Sequence, residues 1–453
     1  MKIKTINPFT EEVLESYDAA GPKEVAETVK RAREAFPAWS SMKIYERAKY
    51  FKKLADALRK NQKELAELAT KEMGKPISQS LPEVEKSAWN SDFYAENIER
   101  FLDEERVSTE HRDSYIEFDP VGVVAVISPW NFPVWQVLRP AIPALIAGNC
   151  VVLKHSSVCS GTALKIGKVF DEAGFPKDVF QVLIGDSKIG EALIGSDVDI
   201  ISFTGSVQTG QNIGAMALKD LKRVVLELGG SDPMIVLDDA DLDAAAAGAS
   251  RGRFVNAGQS CIATKRIIVT KGIANQFIDK FVAGVKELKS GDPMDPKTHI
   301  GPLSRESQLD AIDEQVKSSV RQGAKALVGG KPAKGKGFFY EPTVLVNVKT
   351  NMAVCREETF GPVAPIIVVN DESEAIKVAN GTEFGLAASV WTKNRSKGKE
   401  IAKQLQAGMV AINGVVKSDP RLPFGGMKKS GIGRELSRYG LLEFVTIKSV
   451  VID

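Results

Sequence analysis

Apolar positions recur at helical spacing through the first hundred residues and then condense into short continuous runs. Between Lys43 and Lys75, Phe51, Leu54, Leu58, Leu65 and Leu68 form one stripe among many charges, which predicts amphipathic helix. Residues 22–106 read as helical on this basis, with Pro76 and Pro82 as punctuation and a polar gap at 106–113. Apolar runs then appear at 121–127, 150–154, 179–184, 200–204 and 223–228, with helix-like segments such as 160–174 and 207–219 between them. Near-continuous apolar strands alternating with helices predict a buried parallel sheet with βαβ crossovers, an α/β fold class. Such a sheet takes ligands beyond the carboxyl ends of its strands.

A second α/β series follows, with strands at 233–237, 266–270, 363–369 and 386–391 and helices at 241–255, 273–288, 373–380 and 396–407. The stretch 110–119 alternates polar and apolar residues and predicts an edge hairpin, and the chain closes on a β-like tail from Phe444 to Val451.

Composition narrows the class without naming a chemistry. The 453 residues, 43% hydrophobic and 26% charged, have ordinary globular make-up and enough length for two or three domains. A formal net charge of +2 gives no strong field to recruit nucleic acid or an anionic membrane. The four cysteines and three histidines are too scattered for a zinc-like cluster, so no metal is expected. Few cysteines, no apolar leader after Met1 and no stretch able to span a bilayer lead to the expectation of a cytoplasmic, membrane-free protein.

Candidate chemistry centres on Cys261, in the small, polar, glycine-bearing segment Asn256-Ala257-Gly258-Gln259-Ser260-Cys261, a poor place for a structural thiol. Glu227 is a carboxylate inside the apolar run 225–228. A nucleophilic thiol and an acid in dry surroundings are what a covalent, water-using reaction needs. Asn131, in Ser128-Pro129-Trp130-Asn131-Phe132-Pro133, follows the first parallel strand; its amide suits an oxyanion, or else a turn bonding its own backbone. Lys154 ends a strand, where a ribose or phosphate sits in open α/β sheets and where an ordinary solvated lysine also sits. Gly205 and Ser206 lie between strand and helix, fit for a pyrophosphate or a plain N-cap. Glu358 and Phe360, in a charged loop ending Gly361-Pro362, suit sugar hydroxyls and a flat ring.

Together these segments resemble the aldehyde dehydrogenase superfamily. The matching pieces occur in that family's order: SPWNFP (128–133), VLK (152–154), FTGS (203–206), LELGG (226–230), NAGQSC (256–261), EETFGPV (357–363) and PFGGMKKSGIGRE (423–435). The resemblance implies a Rossmann-like doubly wound cofactor domain (1–106 and 120–228), an α/β catalytic domain (229–431) and a small β oligomerisation flap (107–119 and 436–453). It implies Cys261 as thiol nucleophile, Glu227 as general base and Asn131 as oxyanion donor beside the Cys261 backbone N–H. It further implies Lys154 at the adenosine ribose, Gly205 and Ser206 near the pyrophosphate, Glu358 at the nicotinamide ribose, and Trp130 and Phe360 beside the nicotinamide. NADP or NAD is the implied cofactor and a homodimer or homotetramer the implied assembly.

The resemblance extends to a shorter succinate-semialdehyde dehydrogenase group through Lys154-His155 and Leu226–Pro233. There an arginine eight positions after the asparagine binds the distal carboxylate; here it is Arg139, whose other reading is a structural ion pair. A second arginine six residues before the thiol is replaced by Val255, with Arg253 two residues off. Ser418 and Arg421 are further polar candidates. Ser157 stands where NAD-preferring members often carry Glu, so NADP is expected to be accepted alongside NAD. The alternatives are another small aldehyde (lactaldehyde, glycolaldehyde, a phosphorylated glyceraldehyde), a CoA-acylating variant, and a non-catalytic protein on this fold. The remaining cysteines, Cys150, Cys159 and Cys355, read as structural.

Overall fold

The computed structural model describes residues 1–453. Its first sheet has six strands in the order Gly431–Ile432, Arg223–Glu227, Ile200–Thr204, Val123–Ser128, Cys150–His155 and Phe180–Leu183. All are parallel except Gly431–Ile432, which runs antiparallel to Arg223–Glu227. The chain builds outward from Val123–Ser128 to Phe180–Leu183, then returns to lay Ile200–Thr204 on the other side of the starting strand. That reversal opens a crevice at the carboxyl ends of Val123–Ser128 and Ile200–Thr204, where an open α/β sheet accepts a ligand. The segments 128–133 and 204–206 emerge at this point.

The second sheet has seven strands: Lys325–Val328, Thr343–Val346, Val363–Val369, Thr264–Thr270, Asp232–Val236, Ala387–Trp391 and Met409–Ile412. Only Lys325–Val328 is antiparallel to its neighbour. Each sheet has its own apolar core: one runs from Ala20 to Leu228 and includes Leu441 and Phe444, the other from Met234 to Leu405. A third, three-stranded sheet has Asp113–Pro120 at its centre, paired with Val445–Ile452 on one side and Glu105–Arg106 on the other, and Ile447, Val451 and Ile452 are exposed. No helix is long and apolar enough to cross a membrane.

Several elements depart from the sequence pattern. Pro82 does not break a helix: it lies inside Ile77–Phe101, on its exposed side, where the forfeited ladder bond faces outward. The helix Trp135–Ile146 contains Pro140 and Pro143 and is buried on every face, so it has no polar side to give it an amphipathic signature. The hairpin of Lys2–Ile6 and Val13–Asp18 and the strands Thr343–Val346 and Met409–Ile412 are further additions.

Candidate active site

The segment carrying Asn131 is pinned from three directions. The Glu83 carboxylate, from helix Ile77–Phe101, accepts the backbone N–H groups of Val134 at 2.8 Å and Trp135 at 2.9 Å. Its other oxygen pairs with the fully buried Lys75, which also sits 4.5 Å from the Phe132 ring centroid. From the neighbouring strand, His155 Nε2 meets the Pro133 carbonyl at 2.9 Å; burial pushes this imidazole down to about 4, so it is neutral and donates. Asn131 itself donates one amide N–H to the Gln259 carbonyl at 3.1 Å. An amide carries two such hydrogens, so a second is left for an oxyanion.

The thiol segment is bent into place by its backbone. Asn256, Ala257 and Gly258 take φ of 51°, 52° and 76°, three successive left-handed residues. A Cβ on Gly258 would lie 2.2 Å from the Gly361 carbonyl oxygen, so glycine is required there. Asn256 donates to the Asn131 carbonyl at 2.7 Å, and Gln259 accepts the Ser304 N–H at 3.0 Å. Arg253, fully buried, donates to the carbonyls of Gly258, Thr359 and Gly361, tying the thiol segment to the 357–363 loop. That is a structural use of a guanidinium that is fully buried and does not line the cavity. Cys261 is partly exposed on the wall of a cavity of about 1150 Å³. Burial pushes its thiol up to about 11, opposed by Arg139 and Lys265.

Glu227 ends its strand with 2% exposure, and neither carboxylate oxygen has a hydrogen-bond donor. Gly425 makes room for it: a Cβ there would stand 2.7 Å from Oε1. Burial, then the negative charge of Glu435, raises its affinity for a proton well above that of an ordinary carboxyl; Arg139 and Arg434 oppose the shift. Glu435 is itself buried and raised, chiefly by burial. It forms an ion pair with Arg139 Nε, beneath the Phe424 ring at 4.4 Å from the guanidinium carbon. Arg139 also donates to Thr204 Oγ1 at 3.4 Å and is 1% exposed. The guanidinium read in the sequence as a substrate anchor therefore has an internal counter-ion, which was its alternative reading.

Of the residues expected around a dinucleotide, Trp130, Lys154, Gly205 and Ser206 stand at the carboxyl ends of first-sheet strands, and Glu358 and Phe360 on the loop before Val363–Val369. Trp130 and Phe360 meet edge to face at 5.7 Å. Glu358 accepts the Gly230 N–H at 3.2 Å and Lys265 Nζ at 2.9 Å, and Lys265 also donates to the Cys261 carbonyl at 2.6 Å. Lys265 thus couples the thiol segment to Glu358; with its immediate neighbours Thr264 and Arg266 it had no spacing signal in the sequence. Gly229 forms a cradle that a Cβ would fill, 2.3 Å from the Glu358 carboxylate. Ser206 caps helix Val207–Lys219 by accepting the Thr209 N–H at 3.3 Å, next to Gly205, so this helix begins at the carboxyl end of strand Ile200–Thr204. Lys154, next to last in strand Cys150–His155, is buried, and burial lowers its pKa. Ser157 opens a short 3-10 turn, Ser157–Cys159. This donor set fits a phosphate-linked dinucleotide. Cys150, Cys159 and Cys355 are buried, with thiols pushed up by burial.

Comparison with known proteins agrees with this arrangement. A family model described as the aldehyde dehydrogenase family matches residues 1–450. Succinate semialdehyde dehydrogenase Sad of Escherichia coli (strain K12), named for NAD(P)+, is 43% identical over 447 residues, covering 98% of this chain and 97% of that protein. A probable succinate-semialdehyde dehydrogenase of Synechocystis sp., named for NADP+, is 43% identical with 99% of each chain covered. The crystal structure of betaine aldehyde dehydrogenase from Staphylococcus aureus in complex with NAD+ superposes with a TM-score of 0.96 at 32% identity, covering 100% of this chain and 91% of that one. The chain belongs to the aldehyde dehydrogenase family and is an NAD(P)-dependent aldehyde dehydrogenase.

Proposed function

We propose that the protein oxidises succinate semialdehyde to succinate, with Cys261 as nucleophile, Glu227 as base and Asn131 as oxyanion donor. The observation that carries the chemistry is a buried carboxylate without a donor, Glu227, in the field of a thiol held at the wall of a large cavity. Support for the substrate comes from the two relatives named for succinate semialdehyde and from a cavity wall that includes Lys86 and Ser418.

Because the Cys261 thiol holds its proton tightly, attack on the aldehyde carbon proceeds through its minor thiolate fraction, with the proton lost to solvent, and Glu227 is kept as the base for the later water step. The free Asn131 N–H and the Cys261 backbone N–H stabilise the thiohemiacetal oxyanion; one such donor is typically worth about 3 kcal/mol. Lys154 at the adenosine ribose, Ser206 at the pyrophosphate and Glu358 at the nicotinamide ribose would hold the oxidised dinucleotide, which when bound would supply the hydride acceptor. The thioester left on Cys261 is then opened by water that Glu227 deprotonates, releasing the acid and the free thiol. Ser157 places no carboxylate opposite a ribose 2′-phosphate and Lys154 is a cation at that end, so NADP+ is used alongside NAD+.

An aldehyde panel scored by absorbance of the reduced nicotinamide, with both cofactors, tests these assignments. The expected result is the highest kcat/KM on succinate semialdehyde, and a loss of NADP+ use in Ser157→Glu. Equal or better turnover of lactaldehyde, glycolaldehyde or betaine aldehyde contradicts the substrate, and a strong NAD+ preference in the wild type contradicts the role of Ser157. We also propose a homodimer or homotetramer through the three-stranded flap, whose Ile447, Val451 and Ile452 are exposed; light scattering that gives a monomer mass contradicts it.

A further inference from the structure

The cavity above Cys261 contains a cation with no counter-ion. Lys86, on helix Ile77–Phe101, lines that cavity with its stem half-buried. Its Nζ lies 4.2 Å from the Trp135 ring centroid and donates to Ser418 Oγ. Trp135 belongs to the apolar cluster against which Phe132 and Cys261 pack, so this ammonium and the thiol flank one continuous aromatic wall.

The nearby carboxylates are engaged elsewhere. Glu83, one turn earlier on the same helix, takes Lys75 and two backbone N–H groups. Glu85 pairs with Arg59 at 3.1 Å. Asp419 holds Arg421 in a two-point pair at 2.9 and 2.7 Å and gives Lys86 only a longer-range attraction. Glu435 is taken by Arg139. Arg421 therefore closes on Asp419 at the protein surface, while Ser418 remains at the cavity wall beside Lys86. Burial, reinforced by the positive charges of Arg139 and Lys417, pushes Lys86 down to about 7. A half-buried ammonium with no ionic partner is costly to keep charged, and an incoming carboxylate offsets that cost.

We propose that Lys86, together with the Ser418 hydroxyl, forms the anion subsite that receives the distal carboxylate of a short aldehyde-acid while its carbonyl carbon lies at Cys261. This assignment rests on the semialdehyde reading for its natural ligand. It places the specificity element on the helix that also anchors the Asn131 segment, and leaves Arg139 with Glu435. The ammonium matches the carboxylate charge and the hydroxyl donates to its second oxygen.

The test compares wild type, Lys86→Met and Lys86→Arg on succinate semialdehyde and on butanal, its neutral counterpart. The readout is the ratio of the two kcat/KM values, in which a general loss of fold or chemistry cancels. In Lys86→Met this ratio falls by about 10- to 100-fold, the range for a hydrogen bond to a charged group, and Lys86→Arg recovers most of it. An unchanged ratio in Lys86→Met overturns the proposal. A second measurement separates this result from failure of the substrate reading, which shows itself as a wild-type ratio near one. Succinate is added as a competitive inhibitor of butanal oxidation. The subsite predicts inhibition in the wild type that weakens by tenfold or more in Lys86→Met (about 1.4 kcal/mol). No inhibition of the wild type, or equal inhibition of both, overturns it whatever the natural aldehyde.

Discussion

Replacing Glu435 by Gln should move the proton affinity of Glu227 downward, although Glu435 makes no covalent contribution to the reaction. Two effects act in the same direction. The substitution deletes the largest charge interaction raising Glu227, and it frees the Arg139 guanidinium, which already pulls Glu227 down, from its counter-ion. A like charge between buried neighbours is worth on the order of 2 kcal/mol at an effective dielectric near 20, which is about 1.5 pH units at ~1.4 kcal/mol per unit. Acyl-enzyme decay needs Glu227 in its deprotonated form. The acid limb of the decay rate against pH should therefore shift to lower pH by at least about one unit. The same change strands a guanidinium that is 1% exposed, and breaking such a pair costs about 3–5 kcal/mol of stability, so circular dichroism must first show the variant folded. Single-turnover decay of the acyl-enzyme across pH is the assay. An acid limb that stays in place, or moves to higher pH, in a folded Glu435→Gln enzyme refutes the claim that Glu435 and Arg139 set the base.

Two further outcomes follow from the same electrostatics. With its thiol pushed up to about 11 by burial, Cys261 in the cofactor-free enzyme should react with iodoacetamide at a rate rising about tenfold per pH unit from 7 to 10; a plateau near pH 8 contradicts a protonated resting thiol. Lys75→Met leaves Glu83 buried without its cation and should lower stability by about 3–5 kcal/mol in chemical denaturation. An unchanged denaturation midpoint contradicts the role given to that pair in holding the Asn131 segment.

Periodicity made the parallel sheets legible because strands covered on both faces read as apolar runs. Helix Val207–Lys219 and strands such as Ile200–Thr204 and Val363–Val369 stand where the pattern puts them. Helix Trp135–Ile146 escaped because complete burial erases the amphipathic stripe and two prolines argue against helix. At the site, the residue types of Cys261, Glu227 and Asn131 signalled chemistry through their small, polar or apolar settings. What holds them did not. Lys75, Glu83, Lys265 and Glu435 reach the site from distant segments, and their importance lies in charges matched across the fold, such as Arg139 with Glu435. Local sequence carries no record of such pairing, and for that reason the choice between substrate anchor and ion pair for Arg139 stayed open until the fold brought Glu435 back against helix Trp135–Ile146. The same holds for Lys86, whose lack of a counter-ion is visible only once every neighbouring carboxylate has been assigned a partner.

Covalent acylation of one sulfur is tested most directly by mass spectrometry of the Glu227→Gln enzyme after brief mixing with succinate semialdehyde and NADP+. Without its base the thioester should accumulate, with reduced nicotinamide appearing as one equivalent per site and turnover slowed by about 10²–10⁴-fold. The adduct should map to the peptide containing Cys261 and be absent from Cys261→Ser. Full turnover by Cys261→Ser, or an acid product formed by Glu227→Gln with no adduct on that peptide, contradicts the account.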